Sequence, residues 1–84
     1  MNIRIRYFAA VREHIGHAEE TLDTAATTLG ELRDQLIARG GAAAEALARG
    51  KAVRIAFDHE MTDDEATPLR DGAEVAFFPP VTGG

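Results

Sequence analysis

Two-residue hydrophobic alternation at both ends of an 84-residue chain, with one strong helical period between them, leaves few ways to fold. Ile3, Ile5 and Tyr7 alternate with Arg4, Arg6 and Phe8, the period of a half-buried strand. "AAVREHIGH" follows, read as a loop that turns at Gly16, and "AEETLD" is a weaker second strand close enough to form a hairpin with the first. Val53, Ile55 and Phe57 mark a third strand. "DHEMTDDEATPLRDG" reads as a polar connection without periodicity, closing on a tight Asp-Gly turn. "AEVAFF" is the last strand, with Val75 and Phe77 on one face and Glu74, Ala76 and Phe78 on the other. Pro79 ends it, because proline has no N–H to give a ladder.

The helix between these strands starts at Thr28, whose hydroxyl can cap the first turn while Glu31 reaches back as in a capping box. Leu29, Leu32, Leu36 and Ile37 share one face, and Gly40 and Gly41 stop the helix. "AAAEALARG" is a shorter helical stretch ended by Gly50, with Leu47 as its large anchor. The order hairpin, helix, strand, loop, strand is most simply satisfied by one mixed sheet. Its first and last strands are parallel neighbours, and the helix lies across one face. This is an α+β, β-grasp arrangement, expected over residues 1–78, with 79–84 as a flexible tail.

Composition narrows the function. The net charge of −5 argues against nucleic acid or an anionic membrane as the main partner and suits a partner with a basic face. Without cysteine there is no thiol nucleophile, disulfide or thiolate metal site. The N-terminus has no apolar targeting segment, and no apolar run approaches the ~20 residues of a membrane span, so the chain reads as cytoplasmic.

The ending "FFPPVTGG" draws the functional question. Gly83 and Gly84 lack side chains, so a terminal carboxylate can enter a passage too narrow for other residues. Pro79 and Pro80 favour an extended course and reduce the entropy lost on threading. Six extended residues span about 20 Å, far enough to reach a buried site in another protein. A frayed terminus has the same composition. The aromatics favour function: strand parity puts Phe8 beside Arg4 and Arg6, and Phe78 on the face opposite Val75 and Phe77. Neighbouring first and last strands then gather both rings into one exposed patch at the root of the tail, unless a loop covers them.

"YFAAVREHIG" and "DGAEVAFFPPVTGG" resemble the MoaD family of molybdopterin synthase small subunits, ubiquitin-like sulfur carriers related to the thiamine carrier ThiS. The match runs the whole length and is strongest at the ends. It departs in the third strand, where the family often has an "AVN"-type segment and this chain reads "RIAFDHE". The resemblance implies that an ATP-dependent, MoeB-like adenylyltransferase activates the Gly84 carboxyl and that sulfur displaces AMP to leave a thiocarboxylate. Threaded through Pro79, Pro80, Val81, Thr82 and Gly83 into a MoaE-like large subunit, within a heterotetramer, that group would pass sulfur to cyclic pyranopterin monophosphate. The product is the dithiolene of the molybdenum cofactor. The aromatic patch read from strand parity makes Phe8 and Phe78, with Arg4 and Arg6 beside them, the expected partner-binding residues. The chain would bind no cofactor or metal and would not be catalytic alone. Thiamine synthesis, tRNA thiolation or a tungsten cofactor would use identical tail chemistry. A ubiquitin-like modifier is a further alternative, although Lys51 is the only lysine on which chains could grow. A plain β-grasp interaction module is another.

Other constellations are weaker. His14, His17 and His59 are expected to be exposed and uncoordinated. Asp58, Glu60, Asp63, Asp64 and Glu65 are expected to be solvated loop charge, since they lack the ligand spacing of a calcium loop. Arg12 and Glu13 suit either a local ion pair or a partner contact. The remaining arginines, Arg33, Arg39, Arg49, Arg54 and Arg70, are scattered and build no active site of their own.

Overall fold

The computed structural model describes residues 1–50 and 52–80. Strand β1 (Asn2–Tyr7) leads into helix α1 (Ala9–Ile15) and strand β2 (Glu19–Asp23). Helices α2 (Leu29–Ala38) and α3 (Gly41–Leu47) follow, then strands β3 (Arg54–Phe57), β4 (Glu60–Thr62) and β5 (Glu74–Phe78). The five strands form one mixed sheet in the order β2-β1-β5-β3-β4. β1 and β5 are parallel and adjacent, and every other pairing is antiparallel. The helices cover one face, completing the β-grasp arrangement the alternation implied.

The register explains the core. Ile5 sits opposite Val75 and Tyr7 opposite Phe77, while Ile55 faces Phe77 from the other side. These residues meet Leu29, Leu32 and Leu36 of α2, Leu47 of α3 and Val11 of α1 in one buried cluster. Burying a side chain of this size stabilises by about 1.5–3 kcal/mol, so the leucine stripe holds α2 against the sheet.

Several expectations change. "AAVREHI" is not a loop but a helix: Val11 is buried and Ile15, four residues on, packs against the core beside it. Gly16 remains the turning point, ending α1 at φ +99° with its N–H on the Arg12 carbonyl at 2.8 Å. The polar connection after β3 contains a strand, β4. Asp58 and His59 both take positive φ, 48° and 71°, which makes a two-residue hairpin without the usual glycine. Thr28 caps α2 by accepting the Glu31 N–H at 3.2 Å, but the Glu31 carboxylate takes the N–H of Thr27 rather than Thr28. α3 stops at Leu47, before Gly50, as the backbone becomes extended at Ala48.

The charged residues are less idle than the sequence suggests. Arg33 is 6% exposed. It donates to the carbonyls of Leu47 and Ala48 at 2.8 and 3.1 Å and to Glu65 at 3.0 Å, closing the end of α3. Glu65 also takes Arg49, and Asp58 accepts the Glu74 N–H at 2.9 Å and pairs with Arg70. Two of the five acids in that run, Asp58 and Glu65, are therefore scaffolding rather than solvated loop charge, because loop backbone and buried cations need acceptors. Asp58 is held below its ordinary pKa, first by that N–H and then by Arg70.

Candidate functional site

The helices leave the other sheet face uncovered. Register assigns to it Arg4 and Arg6 of β1, Thr21 and Glu19 of β2, Glu74, Ala76 and Phe78 of β5, Arg54 and Ala56 of β3, and Met61 of β4. At its tail end the rings of Phe8 and Phe78 meet edge to face with centroids 6.2 Å apart. Phe8 is 38% exposed and Phe78 half-buried, so the expected aromatic patch exists and no loop among the described residues covers it. Edge-to-face packing lets the positive rim of one ring meet the negative face of the other, which fixes both at little entropic cost. The Phe8 N–H donates to the Phe77 carbonyl at 3.0 Å, tying the patch to the final strand.

Arg6 belongs to this patch, with its guanidinium 5.0 Å from the centroid of the Phe8 ring. Arg4 does not. It lies two residues away along β1, 3.9 Å from Glu74, beside a polar cleft of about 360 Å³ that includes Asn2, Asp58 and His59. Two residues of the patch went unnoticed in the sequence. Arg54, opposite Phe78 in register, follows from the same parity that buries Ile55. Met61, 51% exposed and opposite Ala56, gave no signal because β4 has only three residues.

The chain leaves the sheet through Pro79 and Pro80, both half-buried. They line an apolar cleft of about 260 Å³ with Ala10, Val11, His14 and Ala46. The expectations for Val81, Thr82, Gly83, Gly84 and Lys51 fall outside the described residues.

The histidines are occupied locally. His14 Nε2 lies 2.7 Å from Glu45, bridging α1 to α3, and His17 Nε2 lies 3.1 Å from Glu20. Both are about half exposed, and hydrogen-bonded rather than idle. His59 stands 3.7 Å from Glu74. Arg12 and Glu13 form no ion pair among the described residues. No cluster of His, Asp and Glu suited to a metal occurs among the described residues, and no helix there is long and apolar enough to cross a membrane.

The most perturbed acid lies at the edge of the covered face. Glu20 accepts from Arg39 through both oxygens, from Tyr7 at 2.9 Å, and bonds His17. Arg39 above all holds its carboxyl down at about 2, against an ordinary 4.5. Burial and the Glu20 carboxylate push the Tyr7 phenol above its usual value. The network joins β1, β2 and α2, contributes to the fold and stands apart from the open face.

Comparisons with known proteins match this arrangement along its whole length. The model of the ThiS family matches residues 5–84. The Escherichia coli protein named molybdopterin synthase sulfur carrier subunit is 39% identical, over 98% of this chain and 99% of its own. Among solved structures, a complex of subunits 1 and 2 of the molybdopterin-converting factor from Helicobacter pylori contains a chain that matches with a TM-score of 0.72. That chain is 28% identical, with all of both chains covered. SAMP1 from Haloferax volcanii superposes with a TM-score of 0.77 at 23% identity, again over both whole chains, and shares the fold.

Proposed function

This chain belongs to the ThiS family, and from that membership we propose that it is the sulfur-carrier subunit of a molybdopterin synthase. The observation that carries the reading is the pairing of exposed Phe8 with half-buried Phe78 at the point where the chain leaves the sheet. A carrier must be held by its body while its end reaches elsewhere. An aromatic anchor at the root of the tail serves that division of labour.

The chemistry runs through Gly84. A carboxylate is a poor electrophile, so its oxygen first attacks the α-phosphorus of ATP in a MoeB-like activating enzyme and expels pyrophosphate. A sulfide-level sulfur nucleophile then adds to the acyl carbon, the C–O bond to AMP breaks, AMP departs, and a thiocarboxylate remains attached to the chain. Residues 79–84 act as the tail, with Pro79 and Pro80 setting its course and Val81, Thr82 and Gly83 entering a MoaE-like large subunit. There the thiocarboxylate sulfur becomes the nucleophile toward cyclic pyranopterin monophosphate. The large subunit supplies the pterin pocket and the acid–base groups, and two copies of each subunit form the heterotetramer. Phe8, Phe78 and Arg6 dock the body; Arg4, at the far end of the face, contributes less.

Deleting Gly84 tests this reading. Sulfur transfer to the pterin precursor should disappear while urea unfolding is unchanged, because a glycine has no side chain to contribute to a core. A truncated chain that still supported dithiolene formation would end the carrier reading.

A further inference from the structure

The open sheet face carries its charge unevenly along the strands. At the tail end Phe8, Phe78, Ala76, Ala56 and Met61 form an apolar strip bounded by Arg6 on β1 and Arg54 on β3. The acids Glu74 and Asp58 stand toward the other end, around the polar cleft with Arg4. The apolar strip thus has a guanidinium on each side, with Glu19 opposite Arg6 in register and Asp63 and Glu65 lining a cleft with Arg54 but outside ion-pair distance of it.

Arg54 is exposed and within ion-pair distance of no carboxylate among the described residues. Among the described residues Arg6 has only loose partners, Glu19 at 3.7 Å and Glu74 at 4.0 Å, and stacks on Phe8. A surface that closes over Phe8 and Phe78 must also remove water from these two guanidiniums. An unpaired guanidinium in a closed interface carries a large desolvation cost, which a facing carboxylate offsets through charge-assisted, often bidentate hydrogen bonds. Ala56 and Ala76, 9% and 8% exposed, are the small residues of the strip between the arginines.

We infer that this half of the face fits an apolar projection flanked by carboxylates, with Arg54 and Arg6 pairing across the interface. The partner is the large subunit that receives the tail, so the inference rests on the sulfur-carrier reading and adds the chemistry of the docking surface. It reverses what net charge suggests, because the contact region on the partner is acidic rather than basic. Arg54 becomes a specificity-determining residue, selecting a large subunit with a carboxylate at that place over one without.

The test is the affinity of this chain for its large subunit, measured by titration calorimetry for the parent, Arg54→Gln, Arg54→Glu, Arg6→Gln and Phe78→Ala. Urea melts would accompany each measurement. Arg54→Gln and Arg6→Gln should each raise Kd several-fold. Arg54→Glu should raise it about tenfold or more, since it sets like charges face to face. Arg54 is exposed and pairs with nothing described in this chain, so its variants should melt as the parent does. If Phe78→Ala weakens binding while Arg54→Glu binds as well as the parent or better, the acidic-partner inference is overturned and the docking face stands. If none of the four variants changes Kd, the docking face itself is wrong.

Discussion

Phe77 and Phe78 adjoin in sequence and lie on opposite faces of one sheet. Phe77 is fully buried, stacked near Tyr7 with centroids 6.2 Å apart and surrounded by the helix layer. Phe78 is half-buried and meets only the exposed Phe8 ring in an aromatic contact. The same division runs through β1 and β5: Ile3, Ile5 and Val75 are sealed, while Arg4, Arg6 and Glu74 face outward. On the covered face hydrophobicity is what the fold requires. On the uncovered face two aromatics, a methionine and an arginine with no ion pair among the described residues have no such requirement, and residues that the fold does not need are where binding is written.

Perturbing the two phenylalanines breaks the comparison most sharply if it is wrong. Phe77→Ala should cost about 3–5 kcal/mol of stability by leaving a core cavity. Phe78→Ala should cost less than half as much, and urea melts on both variants would measure the gap. Equal losses would mean that the faces do not differ in the way described.

The next effect concerns binding. Phe8→Ala or Phe78→Ala should weaken association with the large subunit by about 2 kcal/mol, the scale of an interface hot spot. Calorimetric titration would detect it. A loss of stability without a loss of affinity would transfer both rings to the structural side.

The polar rim of the covered face makes a pH prediction. Because Glu20 has its folded pKa lowered to about 2 from 4.5, the unfolded chain takes up a proton before the folded one as the solution is acidified. Its contribution is complete above about 4.5 and is lost as pH falls toward about 2. The stability difference between the parent and Glu20→Gln should therefore be present at neutral pH and shrink through that window. A difference constant with pH would remove the ion pair from the account. Smaller still, Thr28→Ala should destabilise by about 1 kcal/mol through loss of the α2 cap and leave partner affinity unchanged. Thermal melts and the same titration check both halves of that expectation.

Much of this was readable from residues alone, for a physical reason. Alternation of period two over Ile3–Tyr7 and Val75–Phe77 fixes which side chains are buried. Parity then fixes Phe8 and Phe78 on the other face. The stretches that escaped have weak local signals. α1 spans only seven residues with Val11 and Ile15 as its apolar pair, so its helical state depends on packing against α3 and the sheet. β4 has three residues and a hairpin turn made by Asp58 and His59 in place of glycine. Arg33 looked like one more surface cation because its partners, the Leu47 and Ala48 carbonyls, lie fourteen and fifteen residues away and come together only on folding. Arg54 needed the sheet order, which puts β3 beside β5, before its place next to Phe78 acquired meaning.

The most direct test of the sulfur-carrier account is the intact mass of this chain after incubation with its activating enzyme, ATP and a sulfur source. The account predicts a gain equal to replacing one oxygen by one sulfur, located by fragmentation at Gly84 and absent when ATP is withheld. An unchanged mass, under conditions in which the same enzyme charges a known carrier, would contradict it. So would a product in which Gly84 is joined through an isopeptide bond to a lysine.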